Sequence, residues 1–250
     1  MTTSDHILVG GHQDRPASVA LSVRDLTVGY GRVACVHELS FDVHRGEILA
    51  LLGANGAGKT TTLLGISGVL KPMGGQVSFE SGTVTAPLHV RARQGLALLT
   101  QDRCVFMGLT VRDNLRVGGC DEETALEYFP ELKSHLRRRV GLLSGGQQQM
   151  LAVGRAIARS PRVLLADELS LGLAPQIVDR ILETLVRACR DQGLAVVMVE
   201  QQVNKCLPIA DRCVVLQRGR LALTGSAVEL RHNPDLIRNL YLGRDVECDS

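Results

Sequence analysis

Eight residues, Gly53-Ala54-Asn55-Gly56-Ala57-Gly58-Lys59-Thr60, constrain this chain more than any others. They fit the spacing G-x-x-x-x-G-K-[ST] and stand between an apolar run, residues 48–52, and a segment of helical periodicity, residues 59–69. A buried strand, a glycine-rich turn and a helix in that order make a phosphate cradle. Glycines let backbone N–H groups close round phosphate oxygens, and a helix N-terminus adds partial positive charge. In such a cradle Lys59 reaches the β- and γ-phosphates, the Thr60 hydroxyl ligates Mg²⁺, and Thr61 continues the phosphate-facing turn. A chance lysine in a glycine-rich turn would give the same string, and the strand before it and helix after it count against that.

The rest of the chain supplies a sheet for such a loop. Residues 19–28 alternate apolar and polar, as a half-buried strand does, and residues 48–52 read as a central strand. Further apolar runs occur at residues 96–99, 163–166 and 195–199, with helical patterns at 146–159 and 175–192. Strands alternating with crossover helices predict an α/β fold with a largely parallel sheet covered on both faces. Residues 102–160 break that rhythm, with helical patterns and no strand, and are expected to form an inserted helical subdomain.

Several function classes fall away on composition. A net charge of +2 and the absence of Trp argue against a nucleic-acid or base-stacking surface, and the basic run Arg137-Arg138-Arg139 reads as a solvated helix end. The seven cysteines are scattered with no C-x-x-C pair, so they read as reduced packing thiols. No signal-peptide pattern opens the chain, and no apolar run approaches the roughly 18 residues of a membrane helix. The expectation is a chain that neither is secreted nor crosses a bilayer.

A phosphate cradle needs an acid at the end of a neighbouring strand to hold the metal, and Val163-Leu164-Leu165-Ala166-Asp167-Glu168 offers Asp167 for Mg²⁺ and Glu168 as general base toward water. Between the two lies Leu143-Ser144-Gly145-Gly146-Gln147. On its own it is an N-capped helix start. In this order and spacing the three segments resemble the ABC ATPases, over residues 20–243.

That resemblance implies a P-loop NTPase of ABC type: a mainly parallel core sheet flanked by helices, an antiparallel N-terminal β part and the helical insert. Its domain would span residues 19–243, with core parts 19–101 and 161–243, subdomain 102–160, and tails 1–18 and 244–250. It implies ATP and Mg²⁺ as cofactors. It makes Ser144, Gly145, Gly146 and Gln147 the contact to the γ-phosphate held by an opposite subunit, so that hydrolysis needs a dimer sandwiching two nucleotides. Tyr30 matches the aromatic that stacks on adenine, and Gln101 the glutamine that touches Mg²⁺ and links the site to the membrane partner. Residues 102–115 would border the groove that receives that partner.

Asp167-Glu168-Leu169-Ser170-Leu171-Gly172-Leu173-Ala174-Pro175, Val199-Glu200-Gln201 and Tyr241-Leu242-Gly243 are similar to the ATPase subunits of branched-chain amino acid importers, to which urea-type subunits are close. The partners implied are membrane permease subunits, a sibling ATPase or a second copy, and indirectly an extracytoplasmic solute-binding protein; the place is the cytoplasmic face of the membrane. Three positions depart from the superfamily pattern. Leu169 stands for the usual Pro, Gln201 for the usual His of the switch loop and Ala174 for an Asp, the last two being usual in this branch. They predict slow or partner-dependent hydrolysis. A soluble ABC protein of translation or repair is the competing class, opposed by the single cassette and the lack of sustained heptads, and a weakly catalytic regulatory subunit is the third.

Overall fold

The computed structural model describes residues 7–8, 18–80, 82–83, 85–200 and 203–233. In chain order the elements begin with β1 (Ile7–Leu8), β2 (Val19–Tyr30), β3 (Val33–His44), β4 (Ile48–Leu52) and α1 (Lys59–Ser67). There follow β5 (Gly74–Phe79), β6 (Gly82–Thr83), α2 (Leu88–Arg93), β7 (Leu96–Leu99), α3 (Val111–Val117) and α4 (Glu122–Tyr128). Two 3-10 turns (Pro130–His135, Val140–Leu142) lead to α5 (Gly145–Ile157). The chain then forms β8 (Val163–Asp167), α6 (Pro175–Gln192), β9 (Ala195–Val199), α7 (Val203–Cys206), β10 (Arg212–Gln217), β11 (Arg220–Ser226) and α8 (Ala227–His232).

Two sheets result. The larger has the order β1-β11-β10-β4-β9-β8-β7, the smaller β3-β2-β5-β6. From β10 to β7 every neighbouring pair is parallel, β11 returns antiparallel on β10, and the smaller sheet is antiparallel throughout. The α/β class, the parallel core and the antiparallel N-terminal part are therefore as the sequence implied.

Strands β4, β8 and β9 are buried along their whole length, and the twofold period of a strand divides their side chains between two cores. Ile48, Ala50, Leu52, Leu164, Ala166, Val196 and Met198 face one core, shared with α5, α6 and the helices of residues 102–160. Leu49, Leu51, Val163, Leu165, Val197 and Val199 face the other, shared with α1 and the antiparallel sheet. Layers packed on both faces explain why these strands read as continuous apolar runs.

Residues 102–160 contain α3, α4, α5 and the 3-10 turns, and no named strand among the described residues, only the bridge Thr110↔Arg139. Helix α1 stops at Ser67, short of residue 69, because Gly68 turns left-handed (φ 77°) and its N–H bonds the Gly65 carbonyl at 3.1 Å. Strands β3, β5, β10 and β11 were not among the expected runs. In β2 and β3 the alternation slips where Asp25 and Glu38 both take φ 50°, so neither strand keeps one period throughout.

Candidate nucleotide site

The C-terminal ends of β4, β7, β8 and β9 converge on one edge of the parallel sheet, where open α/β sheets bind ligands. The glycine loop leaves β4 there. Gly53 has φ 147°, and a Cβ on it would stand 2.4 Å from the Leu216 carbonyl oxygen of β10, so only glycine lets the loop turn this close to the next strand. Gly58 caps α1 in a left-handed conformation with no side-chain bond, and the first turn holds no acid. The opening N–H groups of this nine-residue helix are thus left for an anion.

Lys59 is buried, and its ammonium donates to the carbonyls of Gly53 (2.8 Å) and Ala54 (3.0 Å). Burial lowers its pKa, against which the charges of Glu168 and Asp167 act. The exposed Thr60 donates its hydroxyl to Asp167 Oδ1 at 3.2 Å, while Thr61 is buried one position further along α1. Burial raises the Asp167 carboxyl, the Thr60 hydrogen bond opposes it, and the Glu168 charge adds to the rise. A hydroxyl and a carboxylate are hard oxygen ligands suited to Mg²⁺, and no cluster of three or more His, Cys, Asp or Glu forms a cage among the described residues. That donor set fits a cation whose other ligands are phosphate and water.

Glu168 follows β8 directly, at φ 50°, with its N–H bonded to the Val199 carbonyl at 2.9 Å. Gln101, just past β7, donates Nε2 to Glu168 Oε2 at 2.6 Å. Hydrogen bonds therefore join Thr60 to Asp167 and Gln101 to Glu168, around a lysine that senses both acids. Leu169 buries its side chain in the core, and the buried Ser170 bonds Glu200, a partnership thirty residues apart that the sequence did not disclose. Gln201 lies outside the described residues, as do the 241–243 motif and most of the N-terminal tail.

Ser144 to Gln147 lie elsewhere, at the start of α5, and none of the hydrogen bonds just described reaches them among the described residues. Ser144 forms a capping box: its Oγ accepts from the Gln147 N–H, and Gln147 Oε1 accepts from the Ser144 N–H. Gln147 Nε2 sits 2.9 Å from His135 Nε2. Gly146 also has a packing reason, since a Cβ there would meet Ile177 of α6 at 2.9 Å. Ala174 is the N-cap of α6 and gives no side-chain bond, and Pro175 supplies the first helical residue.

Tyr30 ends β2 opposite Val33 at the tip of the antiparallel sheet and is 53 % exposed. The tip is attached to the glycine loop, because a Cβ on Gly58 would meet Val36 Cγ2 of β3 at 2.8 Å. Beyond Gln101 the chain is pinned by buried Asn114, whose amide bonds the Phe106 N–H and the carbonyls of Phe106 and Thr110. Beside it, between α2, β7 and α5, opens a cleft of about 840 Å³ lined by Arg93, Arg103, Arg155, Arg159 and Arg162 with no acidic residue in its lining.

Comparison with known proteins gives consistent findings. Residues 36–170 match the family model described as ABC transporter. The chain is 39% identical to the high-affinity branched-chain amino acid transport ATP-binding protein BraG of Pseudomonas aeruginosa, over 89% of this chain and 99% of that protein. It is 36% identical to the probable branched-chain amino acid transport ATP-binding protein LivF of Archaeoglobus fulgidus (82% and 91%). It is 32% identical to the lipopolysaccharide export system ATP-binding protein LptB of Escherichia coli (90% and 98%). Among solved structures, a nucleotide-free ATP-binding cassette from an ABC transporter superposes with a TM-score of 0.80 at 22% identity, covering 90% of this chain and 99% of that one.

Proposed function

The chain belongs to the ABC transporter family as an ATP-hydrolysing cassette, and from that membership we propose that it energises a multi-subunit importer of branched-chain amino acids or a similar small polar solute. The observation that carries this reading is the 39% identity running through 99% of BraG, against 35% and 32% for two lipopolysaccharide exporter subunits. The cassette would occupy residues 19–243, with a helical subdomain at 102–160 and tails at 1–18 and 244–250.

Mg-ATP, when bound, supplies the electrophilic γ-phosphorus and the cation's charge. The glycine loop and the N–H groups of α1 hold the phosphates, and Lys59 turns its ammonium from loop carbonyls toward them. Thr60 and Asp167 offer oxygens to the cation. Glu168 takes the proton of the attacking water, and the Gln101 amide fixes its Oε2. Tyr30 stacks on the adenine. Ser144, Gly145, Gly146 and Gln147 complete the site of an opposite subunit, a sibling ATPase or a second copy, and Gln201 completes this one. The arginine-lined cleft beside Gln101 suits a permease segment bearing acidic residues, which would hold the chain on the cytoplasmic face of the membrane. Among the described residues no helix is long and apolar enough to cross a membrane.

The test is purification of tagged Glu168→Gln protein from its native cells in mild detergent with Mg-ATP. Two polytopic membrane proteins, a second ATPase and a solute-binding protein that takes up leucine or valine are the expected company. Membrane partners carrying lipopolysaccharide would replace import by export, and ribosomes in place of membrane proteins would sink the importer.

A further inference from the structure

Glu200 stands one residue past β9 and is 2% exposed, a carboxylate deep beside the site with no direct part in the chemistry above. Its Oε1 accepts the Ser170 N–H at 3.1 Å and its Oε2 the Ser170 hydroxyl at 2.6 Å. Burial raises the Glu200 carboxyl, with the Glu168 charge adding to the rise, and the Ser170 donors pull it back.

Glu168 thus lies between two fixed points. Before it, Asp167 is held in the β8–β9 ladder opposite Val199, and the Glu168 N–H is bonded to the Val199 carbonyl. After it, Leu169 is buried in the core and Ser170 is clamped by Glu200. Between those points Glu168 keeps φ 50°, a conformation that an L-residue leaves unless its surroundings hold it.

We propose that Glu200 is the positioning residue of the general base: by clamping Ser170 it fixes the turn that aims the Glu168 carboxylate. It supplies through hydrogen bonds the stiffness that a ring at position 169 would supply covalently. The inference rests on Glu168 being the general base.

The test is steady-state ATP turnover by the full chain in the complex it co-purifies with, for Glu200→Ala, Ser170→Ala, Glu168→Gln and the double variant of Glu168 and Glu200. Alanine at 200 removes both acceptors of Ser170, whereas an amide would keep them by accepting its N–H and donating to its hydroxyl, so kcat should fall about 10- to 100-fold, as for other displaced catalytic groups, with the KM for ATP within about twofold. Ser170→Ala, which removes one donor and keeps the backbone bond, should lower kcat by less and leave the melting midpoint near wild type. In the Glu168→Gln background, adding Glu200→Ala should change the residual rate by less than about twofold, because nothing remains to be aimed. Wild-type kcat in both single variants beside an inactive Glu168→Gln refutes the positioning role and leaves the base standing. So does a further loss in the double variant, or a KM that rises in step with the fall in kcat. Wild-type turnover by Glu168→Gln refutes the base itself.

Discussion

Replacing Gly53 with Ala tests how tightly the phosphate loop is fitted to the sheet. At φ 147° any other residue is strained by about 1–3 kcal/mol. The added Cβ would stand 2.4 Å from the Leu216 carbonyl oxygen and 3.1 Å from the Ala57 Cβ. Leu216 continues β10 from Val215, which is paired with Leu52 of β4, so the carbonyl yields only if that ladder opens. Overpacking of this kind costs about 1–3 kcal/mol. A shift of Gly53 relieves part of both strains at once, so the total falls below the middle of their summed range, at about 3 kcal/mol. In a chain of this length that lowers the melting midpoint by about 6–12 °C. The Gly53 carbonyl also accepts the Lys59 ammonium, so displacement weakens nucleotide binding too. Calorimetry of the full chain with and without Mg-ATP reads both effects. Gly56→Ala is the internal control: its φ is 80° and nothing stands within 4 Å of its Cβ, so it carries only the backbone cost of about 1–2 kcal/mol. A Gly53→Ala midpoint no lower than that of Gly56→Ala would refute the fit to β10.

Three other outcomes are expected. Lys59→Ala removes a charged donor of about 1.5–3 kcal/mol and should weaken Mg-ATP binding about 10- to 100-fold by titration calorimetry; a change below about threefold contradicts its role. Ser144→Ala removes the α5 cap, costing about 1 kcal/mol and about 2–4 °C, and should leave nucleotide affinity of the isolated chain intact while turnover in the complex collapses. Asp167→Asn should behave differently with pH, because burial raises the Asp167 pKa above its unfolded value. That group stabilises the fold below the unfolded pKa and loses the contribution as pH rises through the folded one. The variant should therefore melt higher than wild type at neutral pH and lose the advantage toward about pH 4, while losing Mg-ATP turnover; an advantage independent of pH refutes the assignment.

What the sequence disclosed follows from how each signal is encoded. Strands β4, β8 and β9 are buried on both faces and announce themselves as apolar runs, and α6 announces itself by its apolar stripe and Pro175. The glycine loop is legible because its backbone geometry requires glycine at fixed spacing, and Asp167 and Glu168 because they end an apolar run that forms β8. Strand β3 was hidden: only Leu39, Phe41 and Val43 alternate inward, and the turn at Glu38 shifts Val36 out of step. The Glu200–Ser170 clamp and the arginine cleft were hidden for another reason. They join residues from β7, β8, β9, α2 and α5 that only the closed sheet brings together, and no local pattern marks them.

Gly219, in the turn from β10 to β11, has its N–H on the Ala57 carbonyl of the glycine loop and its own carbonyl on the His37 N–H of β3. A Cβ there would stand 2.1 Å from the Cys35 carbonyl oxygen, so nothing larger fits the joint. This single residue rivets the phosphate loop to both sheets at once. Loosening the loop to let a spent nucleotide leave would mean prising two sheets apart. The less costly exit lies on the open side, so that in the nucleotide sandwich proposed above the traffic of nucleotide would be governed by how readily the opposing subunit steps back.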